Sequence, residues 1–148
     1  MFKHILLPVD GSRLALKGAK AGIRLAKALR ARVTAVYVIP PFTPVAYGDA
    51  AVYVPGLSPQ EYKQATEKGA RKALAAVEAE AKKSRVRCKS RFLTTARVHE
   101  GLLRAARAAK CDAIAMASHG RGGLAGVLLG SETTRVLAHS KVPVLVLR

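Results

Sequence analysis

Three residues in the C-terminal third have types and spacing suited to holding a phosphate: Gly120 and, after nine intervening residues, Gly130 and Ser131, with Ala117 standing three residues before Gly120. Ahead of them, Ala113-Ile114-Ala115-Met116 reads as a buried strand, and a new helical pattern opens at Gly130-Ser131. Strand, glycine-rich loop and helix start, in that order, make a backbone cradle for an anion. Glycine lets main-chain N–H groups approach the anion with no Cβ in the way. The orphan N–H groups and dipole of the following helix add positive potential. Ser131 can cap that helix or donate its hydroxyl to a phosphate oxygen. The loop is not G-x-x-x-x-G-K-[ST], because no lysine stands beside Gly130-Ser131, and it is not G-x-G-x-x-G.

At the other end of the chain, Phe2-Lys3-His4-Ile5-Leu6-Leu7-Pro8-Val9-Asp10-Gly11-Ser12 reads as a strand closing on Pro-Val-Asp. Together the two segments resemble the universal stress protein family, whose nucleotide-binding members carry Gly-x-x-Gly, nine residues, then Gly-Ser or Gly-Thr. Here the last three anchors match and the first is Ala117. The likeness runs from Lys3-His4-Ile5-Leu6 to Val142-Pro143-Val144-Leu145-Val146, essentially the whole chain.

The resemblance implies an adenine-nucleotide site. Adenine would rest near Pro8, Val9 and Val38, with backbone groups of Val9 and Val38 reading its edge. Asp10 would serve the ribose or a metal-bound water. Ala117 would lie under the ribose, and Gly120, Gly130 and Ser131 would hold phosphates, with Thr133 nearby. Arg121 is either a further phosphate contact or a solvated loop cation. The chain departs from the family pattern twice. Val9 replaces a residue that often bears a hydroxyl. Ala117 adds a methyl, which costs nothing at negative φ and is strained at positive φ.

The 148 residues are half hydrophobic, which suits one ordinary domain, 1–148, with a real core. No apolar run approaches the ~20 residues of a membrane span. A strand begins within two residues of Met1, without the charged, apolar and cleavage regions of a leader. Cys88 and Cys111 have no metal or redox spacing and read as free thiols in a reducing compartment. A cytoplasmic protein without membrane association is expected. Lys and Arg total 26 against 9 Asp and Glu, a net +17. That field attracts nucleotides, nucleic acid and acidic surfaces alike, and does not select among them.

The pattern alternates strand and helix, as in a parallel sheet covered on both faces. His4 to Val9 is the first strand. Helix follows from Ser12 to about Arg30, with Arg13, Lys17, Lys20, Arg24 and Lys27 forming one cationic, solvated stripe. Arg32 to Ile39 is the second strand. Residues 40–57 hold four prolines and read as a long irregular loop, a lid or an interface segment. Ser58-Pro59-Gln60-Glu61 starts a second helix running to about Lys83. Arg85 to Thr94 is the third strand. Its cations Arg85, Arg87, Lys89 and Arg91 share one face, which places it at a sheet edge. A third helix spans about His99 to Lys110 and a fourth about Ser131 to His139, with the last strand at Pro143 to Leu147. That strand is wholly apolar, so its outer edge wants a partner.

By resemblance the fold is α/β: one doubly wound domain, a five-stranded parallel sheet of order 3-2-1-4-5 with about four helices on two faces. A homodimer pairing through the C-terminal strand is expected on both grounds. Ser118 before Gly120 echoes a nucleophile elbow, but Met116 stands where that motif needs glycine. The four histidines form no local ligand pattern, so a metal would arrive as Mg2+ or Mn2+ on a nucleotide. Asp10 is the only candidate carboxylate in the crevice, so slow hydrolysis is the most the chain could catalyse. The expected function is an ATP-binding stress-response module rather than a turnover enzyme. The alternatives are a nucleotide-free interaction protein of the same fold, a weak ATPase and a basic nucleic-acid-associated protein.

Overall fold

A computed structural model of the chain describes residues 1–43, 46–47, 50–51, 58–118 and 129–147. The elements are β1 (His4–Val9), α1 (Arg13–Ala28), β2 (Arg32–Ile39), β3 (Ala46–Tyr47), β4 (Ala50–Ala51), α2 (Pro59–Lys83), β5 (Cys88–Thr94), α3 (Val98–Ala108), β6 (Ala113–Ala117), α4 (Ser131–His139) and β7 (Val144–Leu147). The main sheet has order β5-β2-β1-β6-β7 with every pairing parallel. This is the expected 3-2-1-4-5 order once the small β3–β4 pair is set aside.

Strand alternation divides the core into two layers. Ile5, Leu7 and Val9 of β1 face a cluster built with Ala19, Ile23 and Ala26 of α1 and Leu74, Val77 and Ala81 of α2. Leu6 faces the other way, into a cluster with Val36, Ile114, Met116, Leu102 and Ala105 of α3 and Val136 of α4. The five cations of the α1 stripe are all exposed, as a solvated face requires.

Local signals set the helix starts. The Ser12 hydroxyl accepts from Ala15 N at 3.0 Å. Ser58 and Glu61 form a reciprocal capping box at the start of α2. α3 starts at Val98, and its first turn is capped from another helix: the Glu132 carboxylate of α4 accepts from His99 N at 2.8 Å.

The helix ends share one device. Arg30, Arg85 and Lys110 adopt φ of 53°, 57° and 55° just beyond the last turns of α1, α2 and α3. The next residues, Ala31, Val86 and Cys111, are buried and donate backwards to the carbonyls of Ala26, Ala81 and Ala106 at 2.8, 2.9 and 2.9 Å. These are Schellman closures, with the left-handed residue turning the chain back toward the sheet. They correct the expected start of the third strand. Arg85 terminates α2, and regular pairing begins at Cys88, although the strand does lie at the sheet edge. Within residues 40–57, Ala46 pairs with Ala51 and Tyr47 with Ala50, antiparallel. The prolines of that segment flank these four residues, so the pairing keeps its N–H donors.

At the amino ends of the strands, Asp112 joins β1 to β6. Its carboxylate accepts from Lys3 N at 2.7 Å and His4 N at 3.0 Å. Burial alone would raise its pKa, but these N–H donors outweigh burial and hold it below the ordinary value. His4 is buried with Nε2 2.8 Å from the Thr34 hydroxyl, and burial, then the Arg32 charge, lowers its pKa. Both cysteines are free, and burial pushes the Cys111 thiol up to about 11.

Candidate functional site

The winding direction reverses between β1 and β6: the chain lays β2 and β5 to one side of β1, then β6 and β7 to the other. The carboxyl ends of those two strands form the crevice where open α/β sheets hold ligands. β1 brings Pro8, Val9 and Asp10 there, β6 brings Ala117 and Ser118, and the start of α4 brings Gly130, Ser131 and Thr133. Val38 follows Tyr37, the last β2 residue in register with β1, so it reaches past the end of β1. Gly120 and Arg121 lie outside the described residues.

Asp10 makes an Asx turn, its Oδ1 accepting from Ser12 N at 2.9 Å. The turn needs Gly11 at φ 83°, a conformation natural to glycine. Asp10 is half-buried and sits where α1 begins.

The two ends of the glycine-rich segment are stitched together. Gly130 N donates to the Ser118 carbonyl at 2.7 Å, and Ser118 N donates to the Leu147 carbonyl of β7 at 3.2 Å. Thr133, 3% exposed, donates its hydroxyl to the Ala117 carbonyl at 3.2 Å. Thr133 therefore ties the first turn of α4 to the end of β6, a positioning contact. The N-cap of α4 is Gly130, at φ −69° and ψ 153°, and it offers no side chain to the first amides of the helix. Ser131 is exposed at the first helical position. The acid of that turn, Glu132, is drawn aside by His99 N and by Arg135 Nη1 at 2.6 Å. This leaves a helix N-terminus, uncapped by its Ncap side chain, at the carboxyl end of β6, while the Asx turn that opens α1 lies at the carboxyl end of the neighbouring strand β1. Two helix starts converge on the crevice, an arrangement that favours an anion.

Both departures from the expected pattern find structural partners. Among the described residues, positive φ outside glycine occurs only at Arg30, Arg85 and Lys110, so Ala117 is an unstrained strand residue. Its methyl is directed at α1: a Cβ built on Gly18 would lie 3.0 Å from it. Alternation along the strands puts Pro8 and Val38 on the opposite, α3/α4 side. The Val9 side chain is buried in the α1/α2 layer.

Three supporting residues escape inspection of the motifs. Gly18 makes room for the Ala117 methyl. Gly101 lets α3 press on the strand ends; a Cβ there would meet Thr95 Cγ2 at 2.7 Å and Leu93 Cδ1 at 2.8 Å, with Val38 Cγ2 at 3.6 Å. Glu132 caps α3 instead of facing the crevice. The Gly18/Gly22 pair, four residues apart on α1, is the one sequence signal of close approach, and a Gly22 Cβ would meet Leu7 Cδ2 at 2.5 Å. Ser118 is buried and is no exposed nucleophile. Among the described residues no group of three or more His, Cys, Asp or Glu could hold a metal.

The universal stress protein family model matches residues 1–148. A universal stress protein of Methanocaldococcus jannaschii is 31% identical over 150 residues, covering 100% of this chain and 83% of the relative. A solved structure from the universal stress protein family of Burkholderia pseudomallei is 27% identical with a TM-score of 0.75, covering 98% of this chain and 95% of that one. A universal stress protein solved in complex with cAMP is 22% identical with a TM-score of 0.72, covering 99% and 97% of the two chains.

Proposed function

The chain belongs to the universal stress protein family, and we propose that it is an ATP-binding regulatory module rather than a turnover enzyme. Residues 1–148 act as one nucleotide-binding domain. Pro8, Val9 and Val38 hold the adenine, with backbone groups of Val9 and Val38 at its edge. Asp10 meets the ribose or a water on Mg2+ or Mn2+ carried by the phosphates. Ala117 lies under the ribose, Gly120, Gly130 and Ser131 hold the phosphates, Arg121 adds charge, and Thr133 fixes the cradle.

The observation that carries this assignment is the start of α4, where Gly130 leaves the N-cap without a side chain and its N–H is tied to the Ser118 carbonyl at the end of β6, the strand next to the one that ends at Asp10. The cAMP complex of a protein with the same fold supports an adenine nucleotide as the ligand class. Asp10 is the sole crevice carboxylate among the described residues, which favours binding over hydrolysis: phosphoryl transfer needs a positioned base as well as metal ligands.

β7 pairs with β6 on one side and ends the sheet on the other. Pairing of two β7 edges would bury that apolar strand, and a homodimer follows. A cytoplasmic setting suits two free thiols, and no described helix is long and apolar enough to cross a membrane.

Gly130→Asp tests the site. Aspartate is a better N-cap than glycine at this φ and ψ, so the fold should be preserved. Its carboxylate would stand where the phosphates are assigned. The expected result is an unchanged or raised thermal midpoint with Mg-ATP affinity reduced about tenfold or more, a difference of about 1.4 kcal/mol. Unaltered affinity would remove Gly130 from the site.

A further inference from the structure

The amino ends of the strands, opposite the proposed nucleotide site, carry a different chemistry. Arg87, Arg32 and Lys3 stand at or next to the starts of β5, β2 and β1. Val33 N donates to the Arg87 carbonyl at 2.8 Å and Arg32 N to the Lys3 carbonyl at 3.0 Å, so these backbones are neighbours across the sheet. Adjacent strands lie about 4.8 Å apart, which makes a row of about 10 Å. Beside it stand the three left-handed residues that close α1, α2 and α3: Arg30, Arg85 and Lys110. All six side chains are exposed. Among the described residues, none has a carboxylate within 4.0 Å. The acid at this end, Asp112, holds the Lys3 and His4 amides.

The closing positions are the telling ones. A φ near 55° favours glycine, and a side chain there is disfavoured. A cation near a helix C-terminus does complement the dipole. Yet the last turns already supply one: Lys27 in α1, Lys82 and Lys83 in α2, Arg107 in α3. The dipole therefore leaves the choice of Arg, Arg and Lys over glycine at three successive closures unexplained. A ligand that needs these charges explains it.

We propose that this end of the sheet docks the phosphate backbone of double-stranded nucleic acid without reading its sequence. Four of the six cations are arginines, whose planar fork matches phosphate oxygens. The adjacent aromatic, Phe2, packs against the core, so among the described residues this end offers no stacking platform of the kind single strands use. Among the described residues the exposed large apolar side chains are Met1 and Leu137, the latter on α4, so no apolar patch forms for a membrane or a protein hot spot. β1 is six residues long, which separates this surface from the nucleotide crevice by about 20 Å. Both can be occupied together.

The test is fluorescence anisotropy of a labelled 20-base-pair duplex against protein, across a series of KCl concentrations. In the triple variant Arg30→Gly/Arg85→Gly/Lys110→Gly, glycine suits each φ, so the thermal midpoint should not fall. Duplex affinity should drop about tenfold or more, and log K against log salt should become shallower by about 2 to 3, at ~0.9 per lost phosphate contact. Mg-ATP affinity should be unchanged, which separates this surface from the nucleotide site. The variant Lys17→Gln/Lys20→Gln/Arg24→Gln removes three charges from the α1 stripe and should lose much less. Equal loss in both variants would assign the binding to diffuse net charge and overturn the proposal, as would no duplex binding by the parent protein. Tighter binding of polyglutamate, of phosphatidylserine vesicles or of a single-stranded 20-mer would overturn the choice of duplex.

Discussion

Replacing Ala117 with glycine separates two accounts of the crevice. If the methyl intruded on the nucleotide, removing it would raise ATP affinity. The structure directs it at Gly18 instead, on the α1 side of β6. Removing it forfeits the burial of one carbon, about 0.8 kcal/mol. Placing glycine inside a strand costs about 0.5–1 kcal/mol more in backbone entropy. Ala117→Gly should therefore destabilise by roughly 1–2 kcal/mol and leave Mg-ATP affinity within about threefold. Gly18→Ala approaches the same contact from the helix: the new Cβ would meet Ala117 Cβ at 3.0 Å and its Cα and N at 3.2 Å. Overpacking of that kind costs about 1–3 kcal/mol, and alanine's helix propensity returns about 1 kcal/mol. In the double variant the methyl contact disappears but the two backbone contacts remain. Rescue should be partial, with a coupling of about 0.5–1 kcal/mol. Urea denaturation of the four proteins measures the cycle, and calorimetric titration with Mg-ATP measures the site. A tenfold gain in affinity from Ala117→Gly with no loss of stability would refute the placement of the methyl.

Three further outcomes follow from the same structure. Gly69 lies exposed within α2 with nothing within 4 Å of a built Cβ, so Gly69→Ala should raise stability by about 0.8–1 kcal/mol in urea denaturation. His4 has its pKa lowered by burial and by Arg32, so the unfolded chain binds a proton that the folded one refuses. Stability should hold above the ordinary 6.5 and fall as pH drops from there to the folded-state value; a His4→Gln variant with an equally steep fall in thermal midpoint would contradict that assignment. Burial raises both thiols, Cys111 to about 11, so a thiol reagent at pH 8 should label the native protein slowly and the urea-unfolded chain rapidly. Fast native labelling at Cys111 would mean that its burial is wrong.

Much of the fold was legible because each element carries its own signal. The Ser12 and Ser58 caps, the buried runs at His4–Val9 and Ala113–Ala117, and the cationic face of the edge strand all depend on local sequence. The end of α2 at Lys83 was legible, but the start of the edge strand was not, because Arg85 in a left-handed closure continues an alternating pattern that looks like strand, while β5 begins at Cys88. The β3–β4 pair was hidden among prolines that flank it without entering it. At the crevice, the convergence of Asp10 with Gly130 and Ser131 follows from topology. The direction of the Ala117 methyl does not, since it depends on the packing of Gly18 four residues before Gly22. Nor could spacing show that Thr133 gives its hydroxyl to Ala117 or that Glu132 caps α3, because both are tertiary contacts.

The central claim, that the crevice at the carboxyl ends of β1 and β6 is an adenine-nucleotide site, is tested most directly by calorimetric titration with Mg-ATP at physiological and raised salt. GTP and inorganic triphosphate serve as controls. Preference for ATP over both controls, surviving raised salt, is the predicted result. Equal binding of all three polyanions, vanishing with salt, would mean that the +17 charge alone attracts them and would contradict the claim.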